Sequence, residues 1–462
     1  MKQAKFRMPT AYTILFLLIV AVALATWFIP AGSYDYVDGV PQAGSYHTVE
    51  GEPAGVGDVL KASFSGFYDA VDVCVFILMV GGFLGVVMKT GAVDAGVSNV
   101  IRLLGGREKL LIPILMLVFG LGGTTYGMWE ETMAFYPLLI PVFLAAGYDA
   151  IVGISVILLG AGAGIIASTV NPFATGIASG FAGVSLGEGI LLRLVMWVAF
   201  EGVAIWFVMA YAARVKRDPS TSVVGVGAGR IHVDATETVE LTGKRKWILA
   251  VFVLTFTVMV YGVVPFDEMG LPLPVLGWWF PELSALFVVG AVVVGFIDRM
   301  GEEEAAECFV SGCADLLGVA FIIGISRGIT VVMNDASVTD TILHWGEMAL
   351  SGAGALSFTV LVYLLYLPLS VLIPSSSGLA TLSVPILAPL GRFADVGGDL
   401  VVTAFQAASG LVNMVTPTAA VLMGALALGH VGYDRWFRYV WKLMLLFVLL
   451  TVGFLLLGAW LG

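Results

Sequence analysis

The stretch TTYGMWEETMA at residues 124–134 places two adjacent glutamates, Glu130 and Glu131, in sequence that is apolar enough to cross a membrane. Uncharged runs flank the pair on both sides, at residues 110–129 and 132–148. A carboxylate in the hydrocarbon core of a bilayer is costly unless it is paired, hydrated or neutralised. The two acids therefore predict a functional site at membrane depth.

Such runs recur along almost the whole chain of 462 residues, of which 59% are hydrophobic and 12% are charged. This composition excludes a soluble domain and predicts an all-α polytopic membrane protein. A basic flank precedes the first run, which is too long for the core of a cleaved signal peptide, so we expect a retained helix with a cytoplasmic N-terminus. The three cysteines have neither metal-ligand nor redox spacing. The sequence shows no G-x-x-x-x-G-K-[ST] phosphate loop, which argues against an ATP-driven pump.

Basic residues orient the predicted helices, because Lys and Arg beside membrane spans stay in the cytoplasm. Eighteen of the 22 Lys and Arg residues then fall on one side, and the exceptions are Lys61, Arg193, Arg327 and Arg392. The uninterrupted helices are predicted near residues 11–32, 73–89, 190–213, 247–264, 281–297, 309–333 and 443–461. A short amphipathic helix is expected in the acidic outer loop that follows the first span.

The two halves of the chain resemble one another. GVVMKTGAVDAG (85–96) is echoed by TVVMNDASVTDT (330–341), and Pro172 and Pro417 lie at the same offset. With the predicted orientation the copies run in opposite directions, which is typical of alternating-access transporters. The predicted organisation is a first inverted repeat (1–217), a cytoplasmic linker (218–246), an extra helix (247–264) and a second inverted repeat (265–462).

Each copy is predicted to carry one re-entrant helical hairpin and one broken transmembrane helix. The hairpins are predicted at 110–147 and 353–391, because the arms of the first are shorter than the roughly 20 residues of a full span. The broken helices are predicted at 150–186 and 400–429, where prolines interrupt the backbone hydrogen bonds. The turns of the hairpin tips are expected at Gly122, Gly123 and Gly378.

Interrupted backbone at membrane depth is tolerated only inside protein or beside a polar cavity. Four interruptions therefore predict one shared cavity near the bilayer midplane. Its predicted substrate-binding residues are Thr124, Thr125, Glu130, Glu131, Asn171, Arg327, Ser375, Ser376, Ser377, Asn413, Thr416 and Thr418. Hydroxyl and amide oxygens also suit Na⁺, which predicts a coupling-ion site near Ser168, Asn171, Ser375 and Asn413. H⁺ is the alternative coupling ion, and no other cofactor is expected.

The motifs NPFAT (171–175), TPT (416–418) and GISRGITVVMNDASVTDTI (324–342), together with the paired hairpin tips, resemble the four-carbon-dicarboxylate anaerobic carrier family of the ion transporter superfamily, and most closely its YfcC-like branch. The resemblance covers nearly the whole chain. It implies a homodimer in the cell membrane of a prokaryote, with a scaffold and a transport part that moves like an elevator. The tips carry TTYG and SSSG in place of the serine-asparagine-threonine motif of better-known relatives, a departure that bears on their sodium sites.

The substrate class follows from the two tip glutamates, which oppose a dianion unless a cation neutralises them. An amino acid supplies its own ammonium group, and a basic one supplies a second cation. The sequence therefore favours secondary transport of an amino acid such as arginine, ornithine or lysine, with Glu130 or Glu131 at the amine and Arg327 at the carboxylate. The alternative is a Na⁺- or H⁺-coupled carrier of a dicarboxylate such as succinate, malate or fumarate.

Other function classes are weaker. GISRG (324–328) matches the G-x-S-x-G nucleophile pattern, which needs a strand–turn–helix context and a histidine, so we expect no enzyme. A channel is the other rival, and saturable exchange would separate it from a carrier. Glu201 is predicted to form a scaffold salt bridge, with Arg193 as its candidate partner. Arg327 is equally able to bind a substrate carboxylate or to pair with an acid of the protein.

Overall fold

The structure, a computed structural model, describes residues 11–38, 40–93, 95, 96, 99, 107–125, 127–185, 187–224, 240–263, 272–278 and 280–461. Helices dominate this part of the chain. The first half contains α1 (Ala11–Ala25), α2 (Val56–Asp69), α3 (Val71–Lys89), α4 (Leu111–Thr125), α5 (Tyr136–Ala145), α6 (Ala150–Ile166), α7 (Ile177–Ala182) and α8 (Ile190–Arg217). The second half contains α9 (Gly243–Val263), α10 (Phe280–Asp298), α11 (Glu302–Asp335), α12 (Thr339–Leu350), α13 (Ala355–Leu372), α14 (Ser376–Phe393), α15 (Gly398–Asn413), α16 (Ala420–Leu428) and α17 (Tyr433–Leu461).

The membrane character of the fold rests on helix length and apolarity. Among the described residues, seven helices are long and apolar enough to cross a membrane: Val71–Lys89, Glu108–Thr125, Ile190–Arg217, Phe280–Asp298, Glu302–Asp335, Ala355–Leu372 and Tyr433–Leu461. Two shorter apolar helices, Tyr12–Ala25 and Ala150–Ile166, accompany them. The prediction of an all-α, multi-pass membrane protein is confirmed.

Two helix pairs lie at the predicted hairpins and helices are interrupted where prolines predict it, but the first arm of each pair is long enough to count among the candidate spans. The helices α4 and α5 are joined by a tip that includes a 3₁₀ turn at Glu130–Phe135, and α13 and α14 are joined by residues 373–375. A π-helical turn at Pro172–Gly176 separates α6 from α7, and residues 414–419 separate α15 from α16. That the hairpins re-enter the membrane face from which they start stays a prediction, as does the division into repeats.

Helix ends differ from the predicted ones where polar residues extend a helix. The helix α11 begins at Glu302 instead of the predicted residue 309, and α17 begins at Tyr433 instead of the predicted residue 443. In both, a charged first turn extends the helix beyond its apolar part. The amphipathic α12 was missed for the same reason. The first helix ends at Ala25, short of residue 32. Most of the predicted linker 218–246, at 225–239, lies outside the described residues.

Equivalent segments of the two halves lie against each other near the centre of the molecule. The pair α2 and α3 spans Val56–Lys89 with an interruption at Ala70, and α11 covers the same length without one. A Cβ atom on Gly66 would lie 2.2 Å from the carbonyl oxygen of Gly324, and one on Gly81 would lie 2.5 Å from that of Gly312. Such small residues let membrane helices approach closely. The two segments therefore run antiparallel, as the predicted inversion requires of equivalent helices, although inversion of the complete halves stays a prediction.

The first hairpin packs on the first broken helix with equally close backbone contact. A Cβ atom on Gly164 of α6 would lie 2.2 Å from the carbonyl oxygen of Gly120 in α4. Both glycines lie inside helices, so the clash could be relieved only by moving helical backbone. Overpacking of this kind costs about 1–3 kcal/mol. We therefore expect Gly164→Ala to lower the melting temperature of the detergent-solubilised protein, as measured by intrinsic fluorescence or calorimetry.

The matched control is Gly202→Ala in α8, where an added Cβ meets nothing within 4 Å. Alanine is the better helix former by up to about 1 kcal/mol, so this variant should melt at the wild-type temperature or above it. Equal melting temperatures for Gly164→Ala and Gly202→Ala would contradict the close contact between α4 and α6.

The outer loop between α1 and α2 is fixed to α12 by buried hydrogen bonds. Four short strands, β1 (Gly32–Ser33), β2 (Tyr36–Val37), β3 (Val40–Pro41) and β4 (His47–Thr48), form two antiparallel pairs, β1 with β4 and β2 with β3. The backbone N–H of Tyr34 donates to Asp340 Oδ2 at 3.0 Å, and its hydroxyl donates to Glu347 Oε2 at 2.8 Å. Burial raises the pKa of Tyr34 well above its usual value, and the hydrogen bond to Glu347 raises it further. The phenol therefore keeps its proton and the loop stays attached.

Candidate functional site

One cavity of about 150 Å³ gathers residues from both hairpin tips, both interrupted helices, α3, α10 and α11. Its polar lining comes from residues of both halves of the chain: Glu130, Glu131, Asn171, Ser326, Arg327, Ser375, Ser376, Ser377, Gln406, Asn413 and Thr418. Apolar and aromatic side chains complete it, among them Trp129, Trp278 and Phe280. A concave, mostly apolar pocket with a few convergent polar groups is the usual form of a small-molecule site.

The first tip turns through a left-handed glycine. Gly127 has φ +80°, and a Cβ atom there would lie 2.4 Å from Nδ2 of Asn171. The expectation that Gly122 and Gly123 form this turn is wrong, since both lie within α4. Gly378 likewise lies inside α14. Gly127 therefore both forms the turn of the first tip and lies in close contact with Asn171, in the interruption that follows α6.

The two tip glutamates have different surroundings. The carboxylate of Glu131 accepts a hydrogen bond from the backbone N–H of Trp129 at 3.1 Å, so it stabilises the turn of its own tip. Among the described residues, no other residue donates a hydrogen bond to Glu130, which is the less buried of the two. The Arg327 guanidinium and the Asp72 carboxylate lie within electrostatic range of Glu130. Of the two lining acids, Glu130 is therefore the more exposed.

Acidic groups outnumber basic ones around this cavity. Arg327 is the one cation among its described lining residues, and its Nε lies 3.8 Å from Asp69 Oδ2. Asp69 and Asp72 flank Ala70, where α2 and α3 meet. Among the described residues, Glu130 and Glu131 line the cavity itself, whereas Asp69 and Asp72 lie outside its lining. The helix interruption at Ala70 thus supplies two acids beside the cavity that sequence reasoning did not assign to the site.

The second tip presents the start of a helix to the cavity. Ser375 caps α14 by accepting a hydrogen bond from the N–H of Gly378 at 3.2 Å, and its Oγ lies 3.4 Å from that of Ser377. Ser375, Ser376 and Ser377 all line the cavity. A helix N-terminus carries unsatisfied N–H groups and a partial positive charge, both of which favour anions. The tip is therefore suited to a carboxylate group.

Four of the predicted site residues lie outside the lining. Thr124 Oγ1 donates to the carbonyl oxygen of Ala167 at 2.8 Å, so its hydroxyl is used to hold the tip against the break of α6. Thr125 donates to the Leu121 carbonyl at 2.6 Å, and Thr416 lies 2.9 Å from Thr418, hydroxyl to hydroxyl. Ser168 is fully buried, and its hydroxyl has no partner among the described residues. The Na⁺ site predicted near Ser168, Asn171, Ser375 and Asn413 stays a prediction.

Gln406 is a lining residue that sequence reasoning missed. Its Nε2 donates to the carbonyl oxygen of Ile165 at 3.0 Å, whereas its Oε1 has no partner among the described residues. This amide therefore links α15 to the end of α6 and leaves an acceptor beside the cavity. The available signal was a lone amide in the run AFQAASG (404–410), which otherwise consists of small and apolar residues.

Two expectations about single residues are resolved by the geometry. Arg193 donates to the backbone carbonyl of Glu188 at 2.9 Å, and the Glu201 carboxylate has no hydrogen-bond partner among the described residues. The predicted salt bridge between them is wrong, since eight residues of helix separate their backbones by about 12 Å. Ser326 of GISRG lies inside α11 and donates to the Ile323 carbonyl at 2.8 Å, which differs from a nucleophile on a strand–turn–helix.

Comparison with known proteins finds relatives over nearly the whole chain. The chain is 33% identical to an uncharacterised protein of Haemophilus influenzae (99% of this chain, 97% of that protein) and 30% identical to YfcC of Escherichia coli, which is provisionally named a basic amino acid antiporter (97% and 96%). The solved MtrF transporter of Neisseria gonorrhoeae, described as an antimetabolite efflux pump, aligns with a TM-score of 0.47 and 17% identity over 97% of this chain and 95% of its own. The model of the C4-dicarboxylate anaerobic carriers matches residues 8–460. The chain therefore belongs to the C4-dicarboxylate anaerobic carrier family and is a membrane transporter.

Proposed function

We propose that the protein is a secondary transporter that exchanges amino acids, with basic amino acids as its preferred substrates. One observation carries this proposal: among the described lining residues two carboxylates, Glu130 and Glu131, stand against the guanidinium of Arg327, which Asp69 already pairs from beside the cavity. Two unit charges 4 Å apart interact by about 4 kcal/mol at an effective dielectric constant near 20. A solute that brings additional positive charge is therefore favoured over one that brings two negative charges.

An amino acid matches both signs of charge in the cavity. Among the described residues, the ion pair of Arg327 is the long one with Asp69, so its remaining N–H donors are available to a substrate carboxylate. Ser375 and the start of α14 add further donors for the same group. Glu130 meets the α-ammonium group, and the side-chain cation of a basic amino acid is balanced by Asp72. The substrate is thus held between the first tip and α11, with its carboxylate toward the second tip.

The second candidate is a Na⁺- or H⁺-coupled carrier of a dicarboxylate such as succinate, malate or fumarate. The description of the family favours it. The unpartnered hydroxyl of Ser168, three residues before Asn171, also supplies an oxygen that a bound Na⁺ could use. A cation there would offset part of the negative charge that opposes a dianion.

We further propose that the hairpin tips and interrupted helices move together as the transport part of a homodimer, in an elevator-like motion. Hydrogen bonds tie these elements to one another: the backbone N–H of Thr169 donates to the carbonyl oxygen of Thr124 at 2.8 Å, which joins the first tip to the break of α6. Gln406 joins α15 to α6. Elements linked in this way move as one body more readily than they move apart.

Exchange in proteoliposomes tests the proposal. Vesicles loaded with unlabelled arginine, lysine or ornithine should take up labelled arginine with saturable kinetics, and collapse of the ion gradients should leave this counter-exchange in place. Vesicles loaded with succinate or malate should show no uptake above protein-free vesicles. The measurement is run in both Na⁺ and K⁺ buffers, without ATP.

A different pattern would reverse the assignment. Succinate or malate uptake that requires Na⁺, with no competition from amino acids, would establish the second candidate instead. Uptake that depends on ATP after all ion gradients have been collapsed would exclude a secondary transporter of either kind. Flux that does not saturate would indicate a channel.

A further inference from the structure

A second cavity, of about 320 Å³, lies between the start of α4 and the end of α8, on the side predicted to be cytoplasmic. It shares no lining residue with the solute cavity. Its floor is apolar, with Ile112, Met209 and Tyr148, and its rim carries Lys109, Lys216 and Arg217. An apolar floor beneath three cations is unusual for a surface depression that only water fills.

The cations of this rim are only partly compensated. Lys216 Nζ lies 3.1 Å from Glu108 Oε2 and 5.0 Å from the centre of the Tyr148 ring. Among the described residues, no carboxylate pairs with Lys109 or Arg217, and both side chains are exposed. Two positive charges therefore remain available at the edge of the apolar floor.

An apolar stripe continues from this pocket along the outer face of α8. Val195, Val198 and Trp206 are 59%, 66% and 66% exposed, and helical spacing places them on the same face as the lining residues Met209 and Ala213. The helix belongs to a candidate membrane span, so this face meets hydrocarbon. A cationic rim that leads directly into such a stripe has the same polarity profile as a single amphiphile with an anionic head and an apolar tail.

We propose that this pocket binds an anionic phospholipid. Lys109, Lys216 and Arg217 contact the phosphate, the glycerol region lies against Tyr148 and Met209, and an acyl chain follows the stripe on α8. Basic pockets at helix ends on the cytoplasmic side are the common mode of anionic headgroup recognition. A zwitterionic lipid offers the same phosphate but adds an ammonium group, which the three cations repel.

Native mass spectrometry of the full-length protein, released from nanodiscs of equal parts phosphatidylglycerol and phosphatidylcholine, tests the proposal. The wild type should retain phosphatidylglycerol in preference to phosphatidylcholine. The triple variant Lys109→Gln/Lys216→Gln/Arg217→Gln should retain at least tenfold less phosphatidylglycerol than the wild type. A matched triple variant at exposed cations of the same predicted side, Lys246→Gln/Arg299→Gln/Arg438→Gln, should keep it.

A second variant separates loss of the site from loss of the fold. Ala213→Trp keeps all three cations and fills the pocket with an indole, so it too should lose the retained lipid. Inorganic phosphate added at millimolar concentration should not displace phosphatidylglycerol, because it lacks the apolar part. Equal retention in the pocket triple and the matched triple, equal retention of both lipids by the wild type, or displacement by phosphate would each overturn the proposal.

Discussion

Glu130→Gln should reduce amino acid exchange at least thirtyfold, measured as kcat/KM for labelled arginine in proteoliposomes. The substitution preserves shape and removes the charge that we propose meets the substrate ammonium group. Removing one partner of a buried, hydrogen-bonded charge pair costs about 2–5 kcal/mol, and about 2 kcal/mol corresponds to roughly thirtyfold. The same variant also tests the second candidate, because a carrier of dianions in which Glu130 holds no coupling cation should bind its substrate better once a negative charge is removed.

Two neighbouring variants serve as controls for this result. Glu131→Gln changes the acid that accepts the N–H of Trp129, so we expect it to lower the melting temperature more than the kcat/KM of the folded fraction. Glu304→Gln removes an exposed acid whose Oε1 lies 3.5 Å from Lys89, and it should leave transport unchanged. Higher dicarboxylate uptake by Glu130→Gln than by the wild type would exclude the amino acid assignment.

Gly127→Ala should reduce transport more than tenfold in protein that is still correctly inserted. The backbone at φ +80° costs an L-residue about 1–2 kcal/mol. The new methyl group would also collide with the side-chain amide of Asn171, so this lining residue would have to leave its place in the cavity. Exchange is measured in proteoliposomes after normalisation to the protein that is reconstituted.

The control for this variant isolates the collision from the backbone cost. Gly147 has φ +85°, and a Cβ atom there meets nothing within 4 Å, so Gly147→Ala imposes the conformational cost without a clash. We expect it to lower stability slightly and to retain most of the transport activity. If both variants lose transport equally, contact between Gly127 and Asn171 does not matter for the cycle.

The apolar parts of the helices were the most predictable features of the fold. Apolar content predicted 73–89 and 281–297, and the structure has Val71–Lys89 and Phe280–Asp298. Apolar content did not predict the charged first turns of α11 and α17 or the amphipathic α12. Those parts are stabilised by helix hydrogen bonds and by tertiary contacts. Prolines and short arms indicated where backbone would be interrupted, because both rules are local.

The site was predictable in its residue types but not in the role of each residue. Glu130 and Glu131 are adjacent in the chain, and which of them faces the solute depends on the direction of the turn at Gly127. Thr124 looked like a ligand because it is a hydroxyl residue beside the tip, yet its hydroxyl donates to Ala167, which lies forty-three residues further along the chain. Pairings over such distances depend on tertiary structure, and one sequence without relatives does not reveal them.

Complete enclosure of the interrupted helices has a consequence for the response of the molecule to its bilayer. Every residue of α6 is buried, and α15 is buried except at Asp399. The long outer helices α8, α11 and α17 have 28, 34 and 29 residues, more than the roughly 20 that span the hydrocarbon layer. Such helices adapt to a thicker or thinner layer by changing their tilt. A change of bilayer thickness is therefore absorbed at the perimeter, while α6 and α15 keep the same protein neighbours in every membrane.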